Sequence, residues 1–271
     1  MVDEQPEEKP VEVQEAIGTR RSYRFLRPYK PVELGKIQRM LEAARRASFW
    51  GNVGALRAVV VRRHHVSREI MDSLFAAVAG YQIDIAPVII VWYLDWHALE
   101  VQGDRLHELV DARALGMDKE ATHDALDEIL IPFFKAAMDH IKTTGLTELD
   151  CGQGIAQATL VAVDQGLGTC CLGSAREEAI RQNLGLPDSA KVLVLQTVGY
   201  PAESKEAGGQ RPRQPFSEMF HLDAVGNPFP EDPEVVEEMK ESGLIQEPAP
   251  LPWREDELKF IQKALDIPDV G

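Results

Sequence analysis

The chain has 271 residues, of which 44% are hydrophobic and 27% charged, with a formal net charge of −15. That supplies a core for one generous domain with extensions and argues against general disorder. The acidity disfavours nucleic acid and anionic membranes as partners, because both call for a basic face. The charge is uneven: residues 229–271 carry twelve acids against four bases and residues 1–10 four against one, which leaves about −4 for everything between.

Residues 1–10 read as an acidic leader, too polar for a signal peptide. A helix is expected to begin within 11–18 and a second over 33–47, where Leu34, Ile37, Leu41 and Ala44 share one face. A strand follows at 58–63, then a helix over 67–79 with Ser67 as its cap. The β-branched run 85–94 suits a central strand and falls short of the roughly 18 apolar residues that a membrane span needs. Polar helices are expected over 104–115 and 121–142. The helix expected over 150–165 is apolar on several sides, as in a core or a subunit interface. Gly166 and Gly168 break it, a helix over 175–184 comes next, and a strand follows at 191–199. Long helical connections between strands exclude a simple meander. Beyond Asn227 frequent prolines punctuate two short helical stretches, 234–242 and 253–265, so residues 228–271 read as an extension to a domain spanning 11–227.

Three cysteines, Cys151, Cys170 and Cys171, form neither a disulfide framework nor a metal-binding spacing, and a reducing cytoplasm is the expected setting. His107 and Asp111 stand four apart on an expected helix, near His97, and read as a solvated face with no metal. Two basic clusters carry more meaning. Arg20, Arg21, Ser22 and Arg24 offer forked guanidinium donors and a hydroxyl within five residues, and Arg211 and Arg213 flank Pro212. Convergent arginines suit a phosphate monoester, although each cluster alone also fits a solvated turn. The stretch Gly166–Ser174 lacks the spacing of a dinucleotide or Walker loop. Its glycines either let the backbone approach a flat group or lead a helix end into a strand.

These segments, taken in order, resemble the nitroreductase family. The stretch Ile17 to Arg24 is similar to the family's opening motif, and 43–61 to a degraded second motif. The stretch 150–201 is the closest match, and 211–220 is similar to the closing basic motif. The resemblance covers residues 12–222. It implies an α+β fold with a central, mostly antiparallel sheet flanked by helices, in an interlocked homodimer with two FMN sites. It also implies that Arg20, Arg21, Ser22, Arg211 and Arg213 hold the phosphate end and that Arg24 and Gln82 lie toward the pyrimidine. Backbone at Leu172 and Gly173 would lie near flavin N5, with Gly51 and Asn52 reaching a neighbouring flavin. Phe49 and Trp50 replace the small residues usual in the second motif and are expected to wall the substrate pocket. The implied activity is transfer of electron pairs from NAD(P)H through FMN to a nitroaromatic or quinone, with the flavin carrying the chemistry. Rival readings are a specialised relative (a dehalogenase, a flavin-fragmenting enzyme or a dehydrogenase) and a flavin-binding protein without turnover. The proline-rich extension is expected to wrap the dimer.

Overall fold

The computed structural model describes residues 11–206, 209–246 and 253–267. The leader expected over 1–10 lies outside the described residues, as does Leu251 of the extension. In chain order the elements are α1 (Val13–Thr19), α2 (Leu34–Arg45), β1 (Leu56–Arg62), α3 (Arg68–Ser73), α4 (Tyr81–Ile85), β2 (Val88–Asp95), α5 (Gln102–Asp111), α6 (Lys119–Ala125), α7 (Ile131–Ile141), α8 (Leu146–Asp164), β3 (Gly168–Leu172), α9 (Glu177–Leu184), β4 (Ala190–Gly199), α10 (Phe216–Met219), α11 (Pro233–Glu241) and α12 (Arg254–Ala264).

The four strands form one sheet in the order β1–β2–β4–β3, and each adjacent pair runs antiparallel. β2 is apolar along nearly its whole length because both of its faces are covered. Ile89 and Val91 pack with Leu74, Ile83, Ile180 and Leu195 on one side. Val88, Ile90 and Trp92 pack with Ile37, Met40, Ala158 and Ala162 of α2 and α8 on the other. In that second layer the buried Trp92 indole N–H donates to Gln196 Oε1 at 2.8 Å, and Gln196 Nε2 donates to Thr159 Oγ1 at 2.9 Å. The polar atoms of two sheet residues are thereby satisfied by each other and by α8.

Two expected helices differ from what forms. The run 67–79 is capped by Ser67, whose Oγ accepts from Ile70 N–H at 3.3 Å, but it stops at Ser73. Leu74 and Ala76 then leave the helix to enter the core, so burial overrides helix propensity. The run 121–142 stays helical through a π-helical turn at Leu126–Leu130, which delivers Pro132 to the start of α7, where its missing N–H is harmless.

Candidate active site

α1 ends at Thr19 and the chain becomes extended. Ser22 pairs in parallel with Thr169 of β3, Tyr23 N–H donates to Thr169 O at 3.1 Å, and Leu26 pairs with Pro201. Alternate side chains of an extended segment face opposite ways. Arg21, Tyr23 and Phe25 are buried, whereas Arg20 and Ser22 are half-buried and Arg24 is exposed. Arg20 and Ser22 line a groove of about 480 Å³, closed by Gly152, Ile155, Ala156 and Thr159 of α8 and by Thr169, Cys170 and Cys171 of β3. Burial pushes the Cys170 thiol up, against the opposing influence of Arg24 and a bond to the Ser22 side chain. Desolvation, and then the neighbouring Cys170, pushes the Cys171 thiol up to about 11.

Arg21 points away from the groove. Its guanidinium donates to Gly18 O at 2.6 Å, Arg20 O at 3.1 Å, Glu206 O at 3.3 Å and Gln246 Oε1 at 2.7 Å. Burial holds it below the usual arginine value. It lines a separate cavity of about 330 Å³ on the other side of the segment. The second arginine cluster does approach the first. Burial, and then the positive charges of Arg24, Arg254 and Arg213, hold the Arg211 guanidinium below its usual value, with Glu203 opposing them. Such a concentration of positive charge on a half-buried surface favours an anion.

Residues 17–200 match the sequence profile of the Nitroreductase family. The chain belongs to the nitroreductase family. It is 30% identical over 182 residues to a Thermus thermophilus NADH dehydrogenase, covering 66% of this chain and 83% of that one. It is 29% identical over 103 residues to a Staphylococcus epidermidis NADPH-dependent oxidoreductase, covering 37% of this chain and 41% of the relative. A solved Exiguobacterium sibiricum protein, assigned as a nitroreductase and in complex with FMN, superimposes with a TM-score of 0.65. That match has 20% identity and covers 79% of this chain and 98% of the other. The α+β fold and the antiparallel sheet flanked by helices are those of the nitroreductases.

Within this nitroreductase chain the other candidate residues divide. Leu172 closes β3, buried, and Gly173 follows with nothing within 4 Å of where a Cβ would stand, so its backbone is open to a ligand. Gln82 is 2% exposed and its Oε1 lacks a hydrogen-bond partner. Its neighbour Tyr81 rests on Phe25 at 5.7 Å between centroids, and burial pushes its hydroxyl up, with Arg24 opposing. Phe49, Trp50, Gly51 and Asn52 do not line the groove. Asp150 at the start of α8 accepts from Trp50 N–H at 2.8 Å, the Trp50 ring packs on Phe134 at 5.6 Å, and Gly51 lies against Gln102 and Leu106. Gly51 and Asn52 both have φ of 54°, so the turn itself is the reason for the glycine.

His107 and Asp111 do not pair with each other. His107 Nδ1 meets His123 Nδ1 at 2.6 Å, with Asp127 and Asp111 at the outer nitrogens. Among the described residues no group of three His, Cys, Asp or Glu is arranged to hold a metal. Sequence reasoning missed Glu203, Tyr81 and Arg254. No local pattern marks them, because their roles arise from chain segments that meet only in the fold.

Proposed function

We propose that this protein is an FMN-dependent oxidoreductase that takes electrons from NAD(P)H and passes them to an aromatic acceptor such as a nitroaromatic or quinone. The observation that carries the reading is the groove lined by Arg20 and Ser22, where Ser22 pairs with Thr169 of β3 and Arg24 follows on the same outward period. Forked cations suit a terminal phosphate dianion. The donor set fits the rest of the cofactor as well: an unpartnered, buried amide oxygen on Gln82 suits a ring N–H, and the bare Gly173 backbone suits a flat ring edge. Bound flavin would supply reversible uptake of a hydride equivalent. The protein's part is to bind and orient, so no side chain need act as an obligate acid or base. Arg24 adds positive charge on the pyrimidine side, where reduction places negative charge. Phe49, half-exposed, is the stronger candidate for an aromatic wall, since Trp50 is committed to Phe134.

The purified protein should be yellow, bleach with NAD(P)H under nitrogen, and regain colour with a quinone. Arg20→Ala and Arg213→Ala should each weaken FMN binding about 10- to 150-fold, the worth of one charge-assisted bond. A colourless protein that takes up no FMN, or full affinity in both variants, would overturn the reading. Flavin uptake without any turnover would favour a binding protein instead.

A further inference from the structure

α5 and α6 meet through two histidines. The rings of His107 and His123 stack at 4.9 Å between centroids and 18° between planes, and the two Nδ1 atoms stand 2.6 Å apart. Each outer nitrogen faces a carboxylate: His107 Nε2 lies 3.0 Å from Asp127 Oδ1, and His123 Nε2 lies 3.2 Å from Asp111 Oδ1. Lys119 Nζ reaches that same Asp111 oxygen at 2.8 Å. The bond to Lys119, and after it the one to His123, holds the Asp111 carboxyl below the usual carboxylate range. Each imidazole is 27% exposed. The same elements bury Leu106, Val110 and Leu126 together, with Ile131 and Phe134 alongside. Gln102 and Leu106 of α5 lie against Gly51, and Phe134 of α7 packs on Trp50. The histidine pair thus ties α6 to the elements that hold the turn Trp50–Asn52.

A carboxylate only accepts hydrogen bonds, so each outer nitrogen carries a proton. A neutral imidazole has one proton, and with it held outside, both Nδ1 atoms turn lone pairs toward each other. One further proton replaces that repulsion with an N–H···N bond, and a second sets N–H against N–H. The contact therefore closes with one proton between the rings. That state is also balanced in charge, since Asp111 and Asp127 face Lys119 and the shared proton. We propose that His107 and His123 share a single proton and so form a pH-sensitive clamp between α5 and α6. Histidine is the side chain that ordinarily changes charge between about pH 5 and pH 8. Other charged groups on the packed elements turn elsewhere. His97 pairs with Glu100 at 2.7 Å and Arg105 with Glu108 at 2.8 Å. Asp104, Glu120, Asp124, Glu128 and His140 are exposed, and the turn Trp50–Asn52 brings no charge.

A single shared proton gives the clamp a maximum in pH, where ring stacking alone would give none. Hydrogen exchange on the full-length chain, followed from about pH 5 to about pH 9, reads it as protection of the α6 amides relative to those of β2. Protection in α6 should pass through a maximum and fall about three- to fivefold on either side, a modest change because water screens the part-exposed rings. On the acid side the pair gains a second proton, and on the alkaline side it loses its only one. Nitrogen NMR of the imidazoles should count one proton added per pair, not two, between the alkaline range and the maximum. His123→Gln should flatten the profile, since its amide can rotate to offer either N–H or oxygen to His107 Nδ1. A parent profile that is flat, or that moves in one direction only, would overturn the proposal. The same maximum in His123→Gln would overturn it too, by putting the titrating group elsewhere. Protection that rises with added zinc and falls with a chelator would give the space between the nitrogens to a metal ion and would equally overturn it.

Discussion

Adjacent arginines do opposite work in the opening motif. Arg20 and Arg21 are indistinguishable by residue type, and both were expected at the phosphate; the difference comes from the extended backbone after Thr19, which sends every second side chain inward. Arg21→Met should cost roughly 2–3 kcal/mol of stability, since a buried cation with four acceptors is removed and the acceptors lose their donors. Arg20→Met should leave thermal unfolding of the apoprotein unchanged and weaken FMN binding; a reversed pattern would mean that the alternation is misassigned. That alternation was readable in principle, because Arg20, Ser22 and Arg24 against Arg21, Tyr23 and Phe25 is a polar/mixed period of two. What hid it was the absence of any sign that a helix had already ended. The cysteines differ in the same positional way. Cys151, buried, is pushed up to about 12, and Cys171, on the groove wall, to about 11. Iodoacetamide should therefore modify Cys171 slowly, faster as pH rises, and more slowly still with FMN present, while Cys151 reacts only on unfolding. Mass spectrometry of the labelled peptides decides it, and protection of Cys171 is the outcome the groove requires.

At the scale of elements, long runs with one strong period were legible and short or tertiary-determined ones were not. The expected strands at 58–63, 85–94 and 191–199 correspond to β1, β2 and β4 with ends shifted by up to three residues. β3 was masked inside the glycine-rich stretch 166–174, since five residues flanked by glycines show no usable alternation, and its identity comes from pairing with β4. The helix α8 was expected to be apolar on several sides, and its packing explains how. On one side Gly154 lets it approach α2 so closely that a Cβ would stand 2.7 Å from Leu56 Cδ2 and 3.0 Å from Ala44 O. On another side Ala156 and Gly152 face the groove. Gly154→Val should therefore destabilise the fold by about 1–3 kcal/mol despite removing a helix glycine, because the α2–α8 spacing must widen. Thermal or urea unfolding measures this, and a neutral or stabilising result would show that the close approach is not required.

At the scale of the whole molecule, two stretches of exposed apolar surface bear on assembly. One is the outer face of α8 with α1, where Leu149 is 63% exposed and Val13 66%. The other is the arm from Pro212 to Val235, every residue of which is exposed. In that arm Phe216, Phe220 and Phe229 touch chiefly one another, at 4.7 and 6.1 Å between centroids. The extension as a whole was expected to wrap a dimer, and its later part behaves differently from its start. Gln210 Nε2 donates to Leu244 O at 2.9 Å, and a Cβ on Gly18 would collide with Gly243 O at 1.8 Å, so the 243–246 segment is seated on its own protomer. α12 is seated there too, through Ile261 and Arg254. The arm that precedes them projects without a cover among the described residues. Half-burying three phenylalanines against a second copy would contribute on the order of 1 kcal/mol each, in both directions of a two-fold contact. We therefore propose that the arm embraces a second copy of the chain while residues 243–246 and α12 stay on their own chain. Sedimentation equilibrium at micromolar concentration should give twice the chain mass. Phe216→Ser combined with Phe229→Ser should shift the balance toward monomer while leaving α12 protected from hydrogen exchange. A parent chain that sediments as a monomer, or a double variant that dimerises as tightly as the parent, would place the arm elsewhere.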